Sequence, residues 1–361
     1  MATEEPATDR TAVETFQEHV FEAALGTFTT YAIYLGSRLG YYEALATAGP
    51  STSVELAAAT DTAERYTREW LEQQAVAGVL DCPNPDAEPG ARRFVLPPAH
   101  ARVLTHPESL DYLASLPRTV VGAVSPIRAV VDAYRTGDGV AFDAFGADMH
   151  EGQAALNRPL FVNELGTEWL PSLEDVDATL RAGGRVADVG CGHGWSSIGI
   201  TRAYPEATVH GIDVDEASVE RARENAVVHD AGDRLSFTHA DAADLDGSYD
   251  LVTAFECVHD MSDPVSVLST MRSLAAPDGT VLVMDERVGA SFSPDAGVVE
   301  ELMYGWSIVH CLPVSLTDDG VGTGTVMREA TLRAYAADAG FAAVEVLPIG
   351  NEFFRFYRLV V

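Results

Sequence analysis

A chain of 361 residues has length enough for two domains and a sizeable core. With 47% hydrophobic and 22% charged residues its composition is globular, which excludes a disordered or fibrous protein. Fifty-five acidic residues against 23 basic ones leave a net charge of −32, and all 23 are arginine, with no lysine. So acidic a chain repels nucleic acid and anionic membranes, and neither is an expected partner.

Salt screens such self-repulsion, so a salt-rich, halophilic cytoplasm is the expected setting; an ordinary acidic protein is the alternative. Met1 to Phe16 is polar and acidic, without the basic-then-apolar order of a secretory leader. The stretches Ala23–Ser37 and Leu302–Thr317 are too short and too polar for membrane spans. Cys82, Cys191, Cys257 and Cys311 are scattered with no C-x-x-C, which suits reduced cytoplasmic thiols better than disulfides or zinc.

Residues 1–12 read as a loose tail. A helical pattern follows from Thr15 to Thr47, interrupted by Gly26, Gly36 and Gly40. Its apolar residues surround most of the helix, so burial on several sides is expected, including by a second subunit. Val54–Ala59 reads as a short helix opened by Ser53, and Ala63–Val79 as another capped by Asp61. Leu80–Pro83 and Arg93–Leu96 flank a polar turn region, a hairpin signal. Helices followed by a hairpin spell a winged helix over 13–108. Its third helix sets Glu64, Glu69 and Glu72 against Arg65 and Arg68, with no basic stripe for phosphates. Dimerisation, and packing over a substrate pocket, are therefore the expected roles.

Residues 109–178 read as a helical bridge, with helices at Thr119–Tyr134 and at Ala154–Leu170, the latter kinked at Pro159. From 179 to 361 short apolar runs alternate with helices: Arg185–Val189, Ala207–Ile212, Leu251–Phe255 and Thr280–Met284. That alternation is the pattern of an α/β domain with a parallel sheet. Ala343–Leu347 and Phe353–Val360 suggest an antiparallel finish.

The strongest local signal is Asp188-Val189-Gly190-Cys191-Gly192-His193-Gly194, a strand running into a glycine-rich turn. Glycines there permit positive φ and close approach of a ligand, at the carboxyl ends of the strands. Asp213, 25 residues after Asp188, ends the second strand and is placed to accept both hydroxyls of a ribose. The dinucleotide fingerprint G-x-G-x-x-G is not met, because Trp195 or Ser197 stands where its last glycine belongs. Asp188 would repel a pyrophosphate, but suits the cationic amino end of S-adenosylmethionine, met directly or through water.

These residues resemble the first motif of class I S-adenosylmethionine-dependent methyltransferases. Gly211-Ile212-Asp213-Val214-Asp215 is similar to their second-strand motif, Ala240-Asp241-Ala242 falls where they place an acid near adenine, Asp250-Leu251-Val252 opens the fourth strand, and Ala276-Pro277-Asp278-Gly279 resembles the turn before the fifth. The resemblance implies a Rossmann-like seven-stranded sheet of order 3-2-1-4-5-7-6, with strand 7 antiparallel. It implies S-adenosyl-L-methionine as cofactor, with Asp188, Gly190, Gly192, Gly194, Asp213, Val214, Asp241, Ala242 and Phe255 around it.

After the fourth strand comes Glu256-Cys257-Val258-His259-Asp260-Met261-Ser262-Asp263. His259-Asp260-Met261-Ser262-Asp263 is similar to the His-Asp-Trp-Ser-Asp segment of winged-helix small-molecule O-methyltransferases, with Met261 replacing Trp. The resemblance makes His259 the general base and Asp285 the acid that orients it, with Glu286 beside it. The chemistry stands by itself: a hydroxyl is a far better nucleophile once deprotonated, and an imidazole can take that proton near neutral pH. A capping or core histidine is the alternative for His259.

His259, Cys257, His310 and Cys311 lack a recognised zinc spacing, and no metal is expected. Tyr304, Trp306 and His310 read either as pocket lining or as ordinary core. Met149, His150 and Phe161 are further lining candidates. Asn157 and Arg158 either bind an acceptor carbonyl or carboxylate or tie two helices together, the latter being favoured. The expected protein is a homodimeric, cytoplasmic enzyme methylating a small-molecule hydroxyl. Transfer to nitrogen or carbon, or a regulator that senses the cofactor, are the alternatives.

Overall fold

The computed structural model describes residues 10–242 and 245–361. The chain divides into two compact units, Met1–Val121 and Gly122–Val361.

The first unit begins with α1 (Arg10–Arg38), α2 (Tyr41–Ala48), α3 (Ser53–Thr60) and α4 (Glu64–Val76), and α5 (Pro98–Thr105) follows. Of the expected tail, residues 1–9 lie outside the described residues, and Arg10–Ala12 are already helical. Gly26 and Gly36 do not interrupt α1. The break comes at Gly40, whose φ of 70° starts α2. Gly36 is required by packing, since a Cβ there would lie 2.5 Å from the Trp70 ring.

Thr52 and Glu55 close a capping box on α3. Asp61 does not cap α4. It ends α3 in the left-handed region at φ 51°, and Ala63 stands at the start of α4 without a side-chain cap. The expected wing strands shrink to single bridges, Asp81 with Val95 and Ser51 with Phe94. On α4, Arg65 pairs with Glu69 and Arg68 with Glu64, so both of its arginines are met within the helix, while Glu72 pairs with Arg92 beyond it. Tyr41, Tyr42, Leu45, Trp70, Leu71 and Phe94 form the core of this unit. The first five turns of α1 are uncovered on all sides: every residue from Arg10 to Phe28 is exposed, and Phe16, Val20, Phe21, Leu25 and Phe28 are each more than half exposed.

Pro126 breaks the expected 119–134 helix into α6 (Ser115–Ala123) and α7 (Ile127–Thr136). α8 (Gly146–Leu160) starts eight residues earlier than the sequence pattern suggests. Pro159 lies in its last turn, and Phe161–Trp169 continue as a wider π-helix. Within the π-helix the Asn163 side-chain amide donates to the Pro159 carbonyl at 2.7 Å.

The second unit continues with α9 (Glu174–Arg181), β1 (Arg185–Val189), α10 (Trp195–Ala203), β2 (Thr208–Asp213), α11 (Glu216–Val228), β3 (Leu235–His239), β4 (Tyr249–Phe255), α12 (Pro264–Leu274) and β5 (Ala275–Glu286). It ends with α13 (Val298–Trp306), α14 (Leu312–Ser315), α15 (Glu329–Asp338), β6 (Ala343–Val346) and β7 (Phe354–Val360). The sheet order is 3-2-1-4-5-7-6. β7 runs antiparallel to both of its neighbours, and the other pairings are parallel. β3, an edge strand, escaped the sequence reading because only its Phe237 is buried. Alternate residues feed two cores. Ala187, Val252 and Val283 face α12 and α15, while Val186, Leu251 and Met284 pack with Ile198 and Leu165. Among the described residues no helix is long and apolar enough to cross a membrane.

Candidate active site

β1 delivers the chain into the glycine turn at the point where the strand order reverses, between β1 and β4. Gly190, Gly192 and Gly194 all take positive φ, at 70°, 51° and 79°. A Cβ on Gly190 would lie 2.7 Å from Cys257 Sγ, and one on Gly194 2.6 Å from the Phe237 ring, whereas one on Gly192 would meet nothing within 4 Å. The turn therefore packs against the chain leaving β4 and shows bare backbone to open space.

Asp213 braces that turn. Its Oδ2 accepts the Gly192 N–H at 2.8 Å and its Oδ1 the Asp215 N–H at 2.9 Å. Each oxygen keeps a lone pair for a hydroxyl. Bare backbone and a carboxylate with unused lone pairs are the features that a nucleoside with a cationic tail would need. Val214 is 72% exposed, Asp241 is exposed and Ala242 is buried, all beyond the ends of β2 and β3.

Two expectations need correction. Asp188 is 1% exposed, so direct contact with a ligand amine is closed to it. Its Oδ2 accepts from Ser196 and Ser197 at 2.6 Å each and its Oδ1 from Thr253 at 2.8 Å, which staples β1 to α10 and β4. Burial pushes this carboxyl above the ordinary range, and the three hydroxyls pull the other way. Phe255 turns its side chain into the core beside Phe161, at 5.7 Å between ring centroids, leaving only its backbone near the turn.

The reacting end lies past β4 and β5. Their register sets Phe255 opposite Met284. The chain then makes a tight turn at Val258–Asp260 and presents His259, 3% exposed, to the end of β5. His259 Nδ1 stands 2.8 Å from Asp285 Oδ1 and 3.0 Å from Glu286 Oε2, and its Nε2 lies 3.4 Å from Asp260 Oδ1. Burial alone would lower the imidazole pKa, but Glu286, Asp285 and Asp260 together raise it well above 6.5. Asp285 is held below the usual carboxylate range by His259, against its own burial, while burial drives Glu286 upward. The two shifts are reciprocal: Asp285 favours the charged imidazole, and the imidazole favours the Asp285 carboxylate.

The four residues weighed for a metal do not form one cluster among the described residues. His259 gathers instead with Asp285 and Glu286, and separately with Asp260 and Cys311, each set within 4.8 Å. His310 is core: it is 2% exposed, lies 4.3 Å edge-on from Phe145, and is pushed down to about 4 by burial. His150 stacks on Phe142 at 4.2 Å, Met149 is buried, and Tyr304 bonds Arg328 at 3.1 Å. Arg158 lies 4.1 Å over the Trp195 ring and so ties α8 to α10, as favoured from sequence. Asn157 donates to Glu256 Oε2. That glutamate stood in the quoted segment without a role; a large acid directly after a strand beside the glycine turn is the signal that marks it.

Residues 180–312 match the family described as a methyltransferase domain, and residues 27–106 an Rv2258c-like winged HTH domain. A ubiquinone biosynthesis O-methyltransferase of Aromatoleum aromaticum is 30% identical over 203 residues, which are 55% of this chain and 79% of that one. The chain belongs to the class I S-adenosylmethionine-dependent methyltransferases. The 27-O-demethylrifamycin SV methyltransferase of Amycolatopsis mediterranei is 38% identical over 109 residues, so the methyltransferase described here spans only 40% of that relative's length and aligns over 29% of its own. Human N-acetylserotonin methyltransferase, solved in complex with its cofactor, shares the fold at a TM-score of 0.66 and 18% identity, over 100% of this chain and 99% of that one.

Proposed function

We propose that this methyltransferase methylates a hydroxyl group of a small aromatic or polyketide-like molecule. The observation that carries the reading is the buried His259–Asp285 pair at the carboxyl ends of β4 and β5, 2.8 Å apart. Support comes from relatives whose names describe O-methylation. Asp213 would hold the ribose, with Val214, Asp241 and Ala242 toward the adenine. Gly190, Gly192 and Gly194 give access, and Asp188 keeps the turn rigid.

When bound, S-adenosylmethionine supplies an electrophilic methyl on a sulfonium. His259 keeps Nδ1–H on Asp285, which leaves Nε2 to take the acceptor's proton as the oxygen gains the methyl. Because the imidazole pKa is raised, the basic form grows as pH climbs past neutrality. General-base assistance is worth about a hundredfold to ten-thousandfold.

In the same reading the apolar side chains of the uncovered first half of α1 pack on a second copy, making the 13–108 region the dimerisation domain. The lysine-free acidic surface serves a salty cytoplasm. The test is incubation with S-adenosylmethionine and a panel of phenols and amines, with products read by mass spectrometry. O-methylated phenol is expected. Methylation confined to amines, or binding without turnover across the panel, would remove the hydroxyl reading.

A further inference from the structure

Glu256 is the first residue after β4, and its backbone sits at φ 52°, where non-glycine residues rarely settle. Such a conformation persists only where surrounding structure holds it, and it is a pointer toward function. Here the holding groups are visible. The Glu256 N–H donates to the Met284 carbonyl of β5 at 2.8 Å, and the next residue, Cys257, lies against Gly190 of the cofactor turn. The left-handed kink directs the carboxyl toward Asn157 of α8, which donates to Oε2.

The charges around this carboxyl do not balance. His259 and Asp260 face it from the turn after β4, and Asp285 faces it from β5. His259 is matched by Asp285 at 2.8 Å, and Glu286 stands on the same imidazole nitrogen. No arginine pairs with Glu256 among the described residues, and the chain contains no lysine. A partly buried carboxyl, beside other acids and without a protein cation of its own, is a place for a cation from outside.

We propose that Glu256 is the counter-charge for the sulfonium of the methyl donor, taking its negative charge only as the donor binds. The inference rests on the donor of the proposed reaction and not on its acceptor. In the empty site burial pushes this carboxyl up to about 8, against the pull of His259 and Asn157, so near neutrality it is largely protonated. Binding is then an exchange: the carboxyl O–H bond breaks, its proton leaves to solvent, and the carboxylate faces the sulfonium. Once the methyl has gone, the thioether product carries no charge at sulfur, and the carboxyl regains a proton from solvent. Donor is held more firmly than product for as long as it carries a methyl to give.

The test needs no acceptor. Calorimetric titration of the whole protein with S-adenosylmethionine, and separately with S-adenosylhomocysteine, is run at constant salt from pH 6 to 9 in buffers of different protonation enthalpy. Below the carboxyl's pKa its ionised fraction grows with pH, so donor affinity should rise about tenfold or more between pH 6 and 8, with proton release. Product affinity should stay nearly flat. Glu256→Gln should flatten the donor profile, abolish the release, and weaken donor binding at pH 8 by about tenfold, while binding product as the wild type does. His259→Asn should keep the release. Equal proton release for donor and product in the wild-type protein would overturn the inference with no variant required. Release that survives in Glu256→Gln but is lost in His259→Asn would also overturn it, by assigning the proton to the imidazole. Either result leaves the O-methylation reading standing, and failure of that reading in the acceptor panel leaves these titrations interpretable.

Discussion

Asp213→Ala removes a carboxylate that works in two directions. Inward, it accepts Gly192 N–H at 2.8 Å and Asp215 N–H at 2.9 Å. Outward, the remaining lone pairs are assigned to the ribose. A hydrogen bond to a charged group is worth about 1.5–3 kcal/mol. At about 1.4 kcal/mol per factor of ten, loss of one such bond weakens cofactor binding roughly ten- to a hundredfold. The same truncation strips two backbone donors of their partner, each costing about 1–3 kcal/mol where water cannot replace it, so the melting temperature should fall too. Asp213→Asn separates the two effects. It keeps the shape and one acceptor oxygen, but its amide nitrogen opposes one of the two backbone N–H groups, so an intermediate affinity is expected. The assay is calorimetry with S-adenosylhomocysteine at fixed pH and salt, beside thermal melts of the ligand-free protein. Unchanged affinity in a folded Asp213→Ala protein would refute the ribose assignment, and a lower melting temperature alone would reduce Asp213 to a brace of the turn.

His259→Ala should leave cofactor affinity intact and lower single-turnover methyl transfer to a phenol by about two to four orders of magnitude, the loss shrinking as pH rises and the phenol ionises unaided; wild-type transfer near pH 7 would sink the base assignment. Because Glu286, Asp285 and Asp260 outweigh burial in raising the His259 pKa, the acid limb of kcat/KM should lie above 6.5. Asp285→Asn removes one of those anions, so the limb should move down toward 6.5 and the rate fall less than in His259→Ala; a limb that stays in place would show that Asp285 does not govern the imidazole. With a net charge of −32, the melting temperature should rise along a salt series as repulsion is screened, and a flat series would point to an ordinary acidic protein.

Local features were legible because their causes are local. Three glycines two residues apart after an apolar run announce a turn with positive φ, and all three adopt it. β1 spans the residues its sequence pattern marks, and β4 and β5 extend theirs. Weak or composite signals fared worse. β3 buries one side chain, and the wing makes only single bridges where two strands were expected. The π-helix at Phe161–Trp169 leaves no mark in the helical periodicity of the sequence, which reads as one continuous helix there.

Convergence of side chains was decided by tertiary structure. His259 and Asp285 are 26 residues apart in sequence and Asn157 and Glu256 are 99 apart; each pair meets through packing that no nearest-neighbour pattern encodes. The β4–β5 register brings the first pair together, and the packing of α8 brings the second. Asp188 shows the same division. Its sequence position marks an acid at a cofactor turn, but only the fold reveals three hydroxyls closing around it and taking it out of direct contact with a ligand. Residue order sets backbone preference over a few neighbours, whereas the partner of a buried charge is chosen by which strands and helices the whole chain brings alongside it.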